Sequence, residues 1–271
     1  MITNEWVELS QTEGEIKMNI IVFDTETIGK VNQDLLNIGY KIIDLNIQTA
    51  EVKVLCERDY LVRSLIDNEV YCINDDFVGM KKYLMYKGLL ADGRIIKRNL
   101  KQIYITLMND IKKHKVIFGY AYNCKFDLDK FKRHQPDGVT NPFESIPVFD
   151  IWDYAVELIC QTEDYKEWAL ANDQITESQR YISTSVEAVA RYIYNNVDFI
   201  EDHTALSDVQ HETEILVECV KRGADITRPM KSNHFIASGK ELTEIIVVDG
   251  DETQITYKSK YSRNGKTYYK S

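Results

Sequence analysis

The sequence predicts an α/β fold: a mixed five-stranded sheet flanked by helices, with a small β appendage at the C-terminus. Three observations predict it. Apolar runs suited to strands come first and then alternate with segments of helical period, the order of a mixed sheet with helices packed on it. The composition, 44% hydrophobic and 28% charged over 271 residues, is that of a globular chain with a substantial core. From Glu241 the pattern changes to apolar–polar alternation punctuated by Asp249-Gly250 and Asn264-Gly265.

Residues 1–14 are polar and read as a flexible tail. Ile16 to Phe23 is a strand, apolar toward its end as an inner strand should be. Leu36 to Leu45 and Ala50 to Val62 are two more, joined through the turn composition of 44–49. Residues 67–97 hold turn signals and a short helical stretch without a clear place. Leu100, Ile103, Tyr104, Leu107, Met108 and Ile111 recur at three and four, one apolar helix face. Lys115 to Ala121 is a strand, Cys124 to Arg133 a helix, and Ile146 to Phe149 a strand leading into a helix from Asp150 to about Cys160. Residues 161–181 read as an acidic, helical insertion. Thr184 and Glu187 have the spacing of a capping box ahead of an apolar face. The last core helix runs from about Thr204 to Arg222, with Gly223 as its stop. The expected organisation is a tail over 1–14, a main domain over 15–230 and a β-hairpin appendage over 231–271.

Composition excludes several classes. Five scattered cysteines without a CxxC support neither a disulfide framework nor a zinc knuckle. No apolar run approaches the roughly 20 residues of a membrane span. The acidic N-terminus lacks a basic-then-apolar leader. A soluble cytoplasmic protein is expected, in the host cytoplasm if the source is viral. The net charge of −10 argues against a general duplex-coating protein. Between Lys81 and His134, however, there are 14 Lys+Arg against 4 Asp+Glu. Lys97, Arg98, Lys101, Lys112, Lys113 and Lys115 fit a track for a single strand and, equally, solvated helix ends. Gln254 to Ser271 interleaves five basic residues with four tyrosines and fits either base stacking or an edge ribbon guarded by lysines, with the ribbon favoured.

The chemistry gathers in three places. In the strand ending FDTET (23–27), Asp24 and Glu26 project from one side, two like charges that repel unless a cation sits between them. YNCKFD (122–127) puts Asp127 in the first turns of a helix after a strand's carboxyl end, where α/β sheets place sites. On its own, a helix-dipole role explains Asp127 as well. In HTALSD (203–208) the spacing of five brings His203 and Asp208 to one point only if His203 precedes the helix that carries Asp208. Four carboxylates without a thiolate select hard cations, Mg²⁺ or Mn²⁺, and a histidine beside them supplies a base near neutral pH.

In this order the three motifs resemble those of the DEDDh 3′–5′ exonuclease family, which includes the proofreading (epsilon) subunit of bacterial DNA polymerase III, ribonuclease T and oligoribonuclease-like enzymes. The resemblance spans about residues 18–223, and a phage-type member is one expectation. It implies a ribonuclease-H-like fold and metal-dependent 3′–5′ hydrolysis of single-stranded DNA to nucleoside 5′-monophosphates by a two-metal mechanism. It implies Asp24, Glu26, Asp127 and Asp208 as ligands of two Mg²⁺ or Mn²⁺ ions and His203 as general base. Thr25 and Thr27 match positions lining the terminal nucleotide, and Tyr122 and Asn123 fall at further substrate positions, although many members carry histidine where Tyr122 stands. RNA trimming, or a non-catalytic module that docks on a replication polymerase or binds nucleic acid, are the alternatives. The 67–97 and 161–181 segments are longer than a minimal member needs.

Overall fold

The computed structural model describes residues 10–12, 15–29, 33–73, 77–248, 251–258 and 269–270. The chain forms two compact units, Met1–Ile151 with Glu201–Met230, and Trp152–Ile200 with Lys231–Ser271.

The first unit is built on one sheet. Its strands are β1 (Ser10–Thr12), β2 (Glu15–Ile28), β3 (Asp34–Asn46), β4 (Val52–Val62), β5 (Ile96–Arg98), β6 (Phe118–Ala121) and β7 (Val148–Asp150). The order is β5-β4-β3-β2-β6-β7, with β1 paired to β2. Strands β2, β3 and β4 are antiparallel neighbours, whereas β6 runs parallel to β2 and β7 parallel to β6. The five expected strands are all present, in the order of a ribonuclease-H-like sheet. Two short strands extend them. One is β1, inside the segment expected to be a loose tail; residues 1–9 and 13–14 lie outside the described residues. The other is β5, inside the segment the sequence left unplaced.

The centre of strand β2, with strands on both edges and helices on both faces, is fully buried at Ile20, Ile21, Val22 and Phe23. Its odd-numbered residues Ile21 and Phe23 pack against Ile103, Tyr104, Leu107 and Ile111 of α4 (Leu100–Lys113), and against Phe131 of α5 (Cys124–Arg133). Helix α4 begins where Asn99 accepts from the Lys101 amide and presents the apolar face read from the sequence. The opposite face takes α9 (Ala205–Lys221). The short helices α1 (Arg63–Ile66) and α2 (Glu69–Ile73) and the longer α3 (Phe77–Ala91) follow β4. There Ile66, Cys72, Tyr83 and Tyr86 pack with Ile28, Leu36 and Leu61 in a second core cluster.

In the second unit, α6 (Ile151–Ala155) passes into a π-helical turn over Val156–Cys160, so the helix expected from Asp150 to Cys160 is not regular throughout. Helix α7 (Glu163–Ala171) follows, then α8 (Val186–Ile193). The expected cap at Thr184 falls one residue early. Ser185 is the N-cap and accepts from the Ala188 amide at 3.2 Å, while the Thr184 hydroxyl accepts from the Trp152 indole at 2.9 Å. Strands β8 (Glu241–Val248), β9 (Asp251–Lys258) and β10 (Tyr269–Lys270) form an antiparallel sheet in the order β10-β9-β8. The turn dipeptides 249–250 and 264–265, and Tyr261 and Tyr268, lie outside the described residues.

Gly39 sets how closely α9 can approach the sheet. It pairs with Asp24 across β3 and β2, and a Cβ there would lie 2.4 Å from the Ala205 carbonyl carbon and the Leu206 nitrogen. Only a residue without a side chain lets the start of α9 rest on β3. The substitution Gly39→Ala is therefore expected to cost about 1–3 kcal/mol or more through overpacking and to displace Asp208 with the helix. Chemical denaturation checks it: an unchanged midpoint would show that α9 has room to spare.

Candidate active site

The site forms where β2 leaves the core. Asp24 and Glu26 alternate with buried Thr25, so both carboxylates project from the α9 side of the sheet. Just beyond, the register of β2 against β3 shifts between Glu26 and Thr27, with Leu36 as the extra residue of β3.

Asp127 comes from the first turn of α5 and is 1% exposed. Its Oδ1 accepts twice from Thr25, from the amide at 2.9 Å and the hydroxyl at 2.6 Å. Helix α5 is entered through Asn123 at φ 59, and the Asn123 amide donates to Asp150 Oδ1 at 2.8 Å, which ties the turn to the end of β7.

Asp208 is the fourth residue of α9, and the helix start is fixed by Asn37 of β3. The Asn37 Oδ1 accepts from the Ala205 amide and from the Tyr86 hydroxyl, both at 2.9 Å. Its Nδ2 donates to Asp59 Oδ1 at 2.6 Å and to the Tyr60 carbonyl at 3.0 Å. One buried side chain thus satisfies a helix N-terminal donor and ties α9 to α3 and β4. His203 precedes the helix, as the spacing required, at φ 52. A non-glycine residue at positive φ is uncommon and costs energy unless its surroundings hold it. Its side chain is 65% exposed, and ligand atoms of Glu26, His203 and Asp208 lie within 4.8 Å of one another.

Electrostatics identify the four carboxylates as one system. Burial pushes Asp24 well above the usual carboxylate range, and the charges of Asp127, Glu26 and Asp208 push it further. Burial raises Asp127 against the pull of the Thr25 hydrogen bonds. Burial, the Glu26 and Glu201 charges and a hydrogen bond with Glu26 raise Asp208. Acids this close do not all ionise together unless cations join them. The donor set fits a hard divalent cation: every acid offers oxygen, and Asp208 Oδ1 is buried without a hydrogen-bond partner.

The sequence reading passed over two members of this environment. Glu212, one turn below Asp208 on α9, is 2% exposed. Its Oε2 has no partner, while the Tyr122 amide donates to the same carboxyl. Burial raises it well above its ordinary value, with the Asp24, Asp127 and Asp208 charges adding to the effect. The i, i+4 relation to Asp208 was the signal that would have found it. Lys82 of α3 is the second: its Nζ makes an ion pair with Glu26 and donates to the Thr27 carbonyl at 3.3 Å.

The remaining expected site residues fall as follows. The amide and hydroxyl of Thr25 are both engaged by Asp127, the Thr27 carbonyl faces Lys82, Tyr122 is buried, and Asn123 is exposed. The basic residues do not form one track. Lys115 and the end of α4 lie at the start of β6, where the His114 carbonyl accepts from Asn19, the opposite end of β2 from Asp24. Lys97 sits on the outermost strand and pairs with Asp67 at 2.6 Å. A separate cleft of about 270 Å³, lined by Lys41, Asp59, Arg94, Ser207 and Gln210 among others, contains none of the four carboxylates.

No protein-family model matches the sequence, and no curated protein matches it. Among solved structures, the chain is similar to a 3′-exonuclease described in 3′-end specific recognition of a histone mRNA stem-loop. That similarity has 12% identity and a TM-score of 0.47, covering 87% of this chain and 89% of that one. It is also similar to a full-length 3′-exonuclease, with 11% identity, a TM-score of 0.46 and the same coverage.

The raised acids give a pH dependence. In the folded state they keep protons that the unfolded chain releases near the ordinary carboxylate range, so stability falls as pH rises from that range through the raised values. In chelator, the melting temperature is expected to be lower at about pH 8 than at about pH 5.5, by roughly 2–4 °C for each kcal/mol. Mn²⁺ should restore it at the higher pH. A melting temperature that rises with pH in chelator would contradict the buried-acid cluster.

Proposed function

We propose that the chain is a metal-dependent 3′–5′ exonuclease. It hydrolyses the terminal phosphodiester of a nucleic-acid strand, single-stranded DNA in the first instance, and releases nucleoside 5′-monophosphates. One observation carries the reading: the three motifs that resemble the DEDDh family, distant in sequence, converge on a single cluster of Asp24, Glu26, Asp127 and Asp208 with His203 at its exposed side. The 3′–5′ polarity rests on the motif resemblance.

Asp24, Glu26, Asp127 and Asp208 would hold two Mg²⁺ or Mn²⁺ ions. When bound, these supply charge neutralisation for the reacting phosphate and a lowered pKa for the attacking water. His203 takes the proton of that water, and its solvent-facing ring can pass the proton on. Thr25 keeps Asp127 in one orientation through two donors, so the ligand oxygen is placed before the substrate arrives. Asn37 and Gly39 do the same for Asp208 by fixing the start of α9. Thr27 and Asn123, at the rim, are the positions left for contacts with the terminal nucleotide.

The test is a time course on 5′-labelled single strands of DNA and RNA of matched sequence, with Mn²⁺ and with chelator. A ladder shortening from the 3′ end, lost in chelator, is expected. The substitution His203→Ala should slow it on the order of 10²–10⁴-fold. Asp24→Asn should abolish it while leaving the folded structure intact. No products from either strand would favour a nucleic-acid-binding or polymerase-docking module on the same fold, and wild-type rates in His203→Ala would remove the assigned base.

A further inference from the structure

Helix α3 belongs to the 67–97 segment, which is longer than a minimal member of the resembled family needs, and it delivers a cation into the carboxylate cluster. Lys82 Nζ pairs with Glu26 and donates to the Thr27 carbonyl at 3.3 Å. The side chains of Lys82 and Glu26 are only 19% and 18% exposed, so this is not a solvated surface pair. The helix that carries Lys82 is anchored immediately after it. Tyr83 is 4% exposed within the cluster of Ile28, Leu36 and Leu61, and Tyr86, one turn on, is fully buried with its hydroxyl on Asn37 Oδ1. The ammonium therefore sits where a carboxylate shared with a divalent cation would need it gone, and beside the backbone of Thr27, the position matched to the terminal nucleotide.

We propose that Lys82 is the built-in counter-ion of this site and a substrate-binding residue of the reaction. It holds Glu26 until a divalent cation takes that carboxylate, and then turns its charge to the phosphate of the terminal nucleotide. The inference rests on the exonuclease reading. The chemistry is a cation exchange followed by an ion pair; no bond is made or broken at Lys82. An ammonium on a flexible four-carbon stem suits such an exchange, because it offers a point charge and three rotatable donors without fixed geometry. With Glu26 engaged by Lys82, the ion-free cluster carries one fewer uncompensated charge, which helps buried Asp24, Asp127 and Asp208 to coexist.

The test compares wild type with Lys82→Met and Lys82→Arg in the full chain. Mn²⁺ binding is read first, without nucleic acid, by electron paramagnetic resonance of the free ion. Removing the competing charge should tighten Mn²⁺ binding on the order of tenfold in Lys82→Met, whereas Lys82→Arg should stay near wild type. Steady-state degradation of a single strand at saturating Mn²⁺ is read next. KM should rise on the order of tenfold in Lys82→Met with kcat little changed, the signature of a lost ground-state contact. Melting curves of both variants confirm that they are folded. Unchanged or weaker Mn²⁺ binding in folded Lys82→Met overturns the counter-ion role, and an unchanged KM overturns the phosphate role. If wild type itself neither binds Mn²⁺ nor degrades a strand, the exonuclease reading has failed rather than this one.

Discussion

Four carboxylates gathered at one end of a sheet, three of them made weaker acids by burial, cannot all carry charge without cations between them. Asp24, Glu26, Asp127 and Asp208 meet under that constraint, and much of the first unit consists of devices that hold them there. A long buried strand brings two acids to the sheet's end. A parallel strand, β6, hands the chain to α5 and so to Asp127. The last helix of the unit lies across the opposite strand and supplies Asp208. Removing the reason for the cluster would leave a sheet spending stability on a set of raised acids.

The supporting contacts are local and specific. Thr25 lies between Asp24 and Glu26 in sequence yet points to the other side of the strand, where its amide and hydroxyl both reach Asp127. Asn37 connects the first amide of α9 to Tyr86 of α3, and Gly39, two residues on, gives that helix its seat. Both come from β3, so one strand holds the helix with a hydrogen bond and a missing side chain at once. His203, held at φ 52 ahead of the helix, is the one member of the set in open reach of solvent. A conformation of that kind is a cost tolerated where the neighbouring structure fixes it. Lys82 closes the group from the side of α3 and gives the ion-free acids a cation of their own.

Much of this was legible in the sequence, because the signals were local. The apolar run before Asp24 marked β2, the three-and-four spacing marked α4, and the helix carrying Asp127 was read at its observed bounds, Cys124–Arg133. The requirement that His203 precede the helix of Asp208 followed from spacing alone, and the structure meets it with Thr204 as the N-cap. What escaped was decided by distant partners. Nothing around Lys82 announces a carboxylate 56 residues earlier in the chain. The need for glycine at position 39 comes from the backbone of Ala205, and Ser185 rather than Thr184 caps α8 while the Thr184 hydroxyl accepts from Trp152. The basic stretch was ambiguous for the same reason: its residues are neighbours in sequence, but the fold puts Lys97 on the outermost strand, β5, and Lys115 ahead of the interior strand β6. Glu212 was within reach, one helical turn from Asp208, and was passed over because it belongs to none of the three motifs.

The central claim is that these acids form a cation site, and locating the cations tests it most directly. Crystals grown with Mn²⁺ and a nucleoside 5′-monophosphate, measured for anomalous scattering, would show where the ions sit. The account predicts two Mn²⁺ ions held by Asp24, Glu26, Asp127 and Asp208, with Lys82 moved from Glu26 to the phosphate. Anomalous density absent from this cluster, or found instead at a different group such as Cys56, Asp110 and His114, would contradict it.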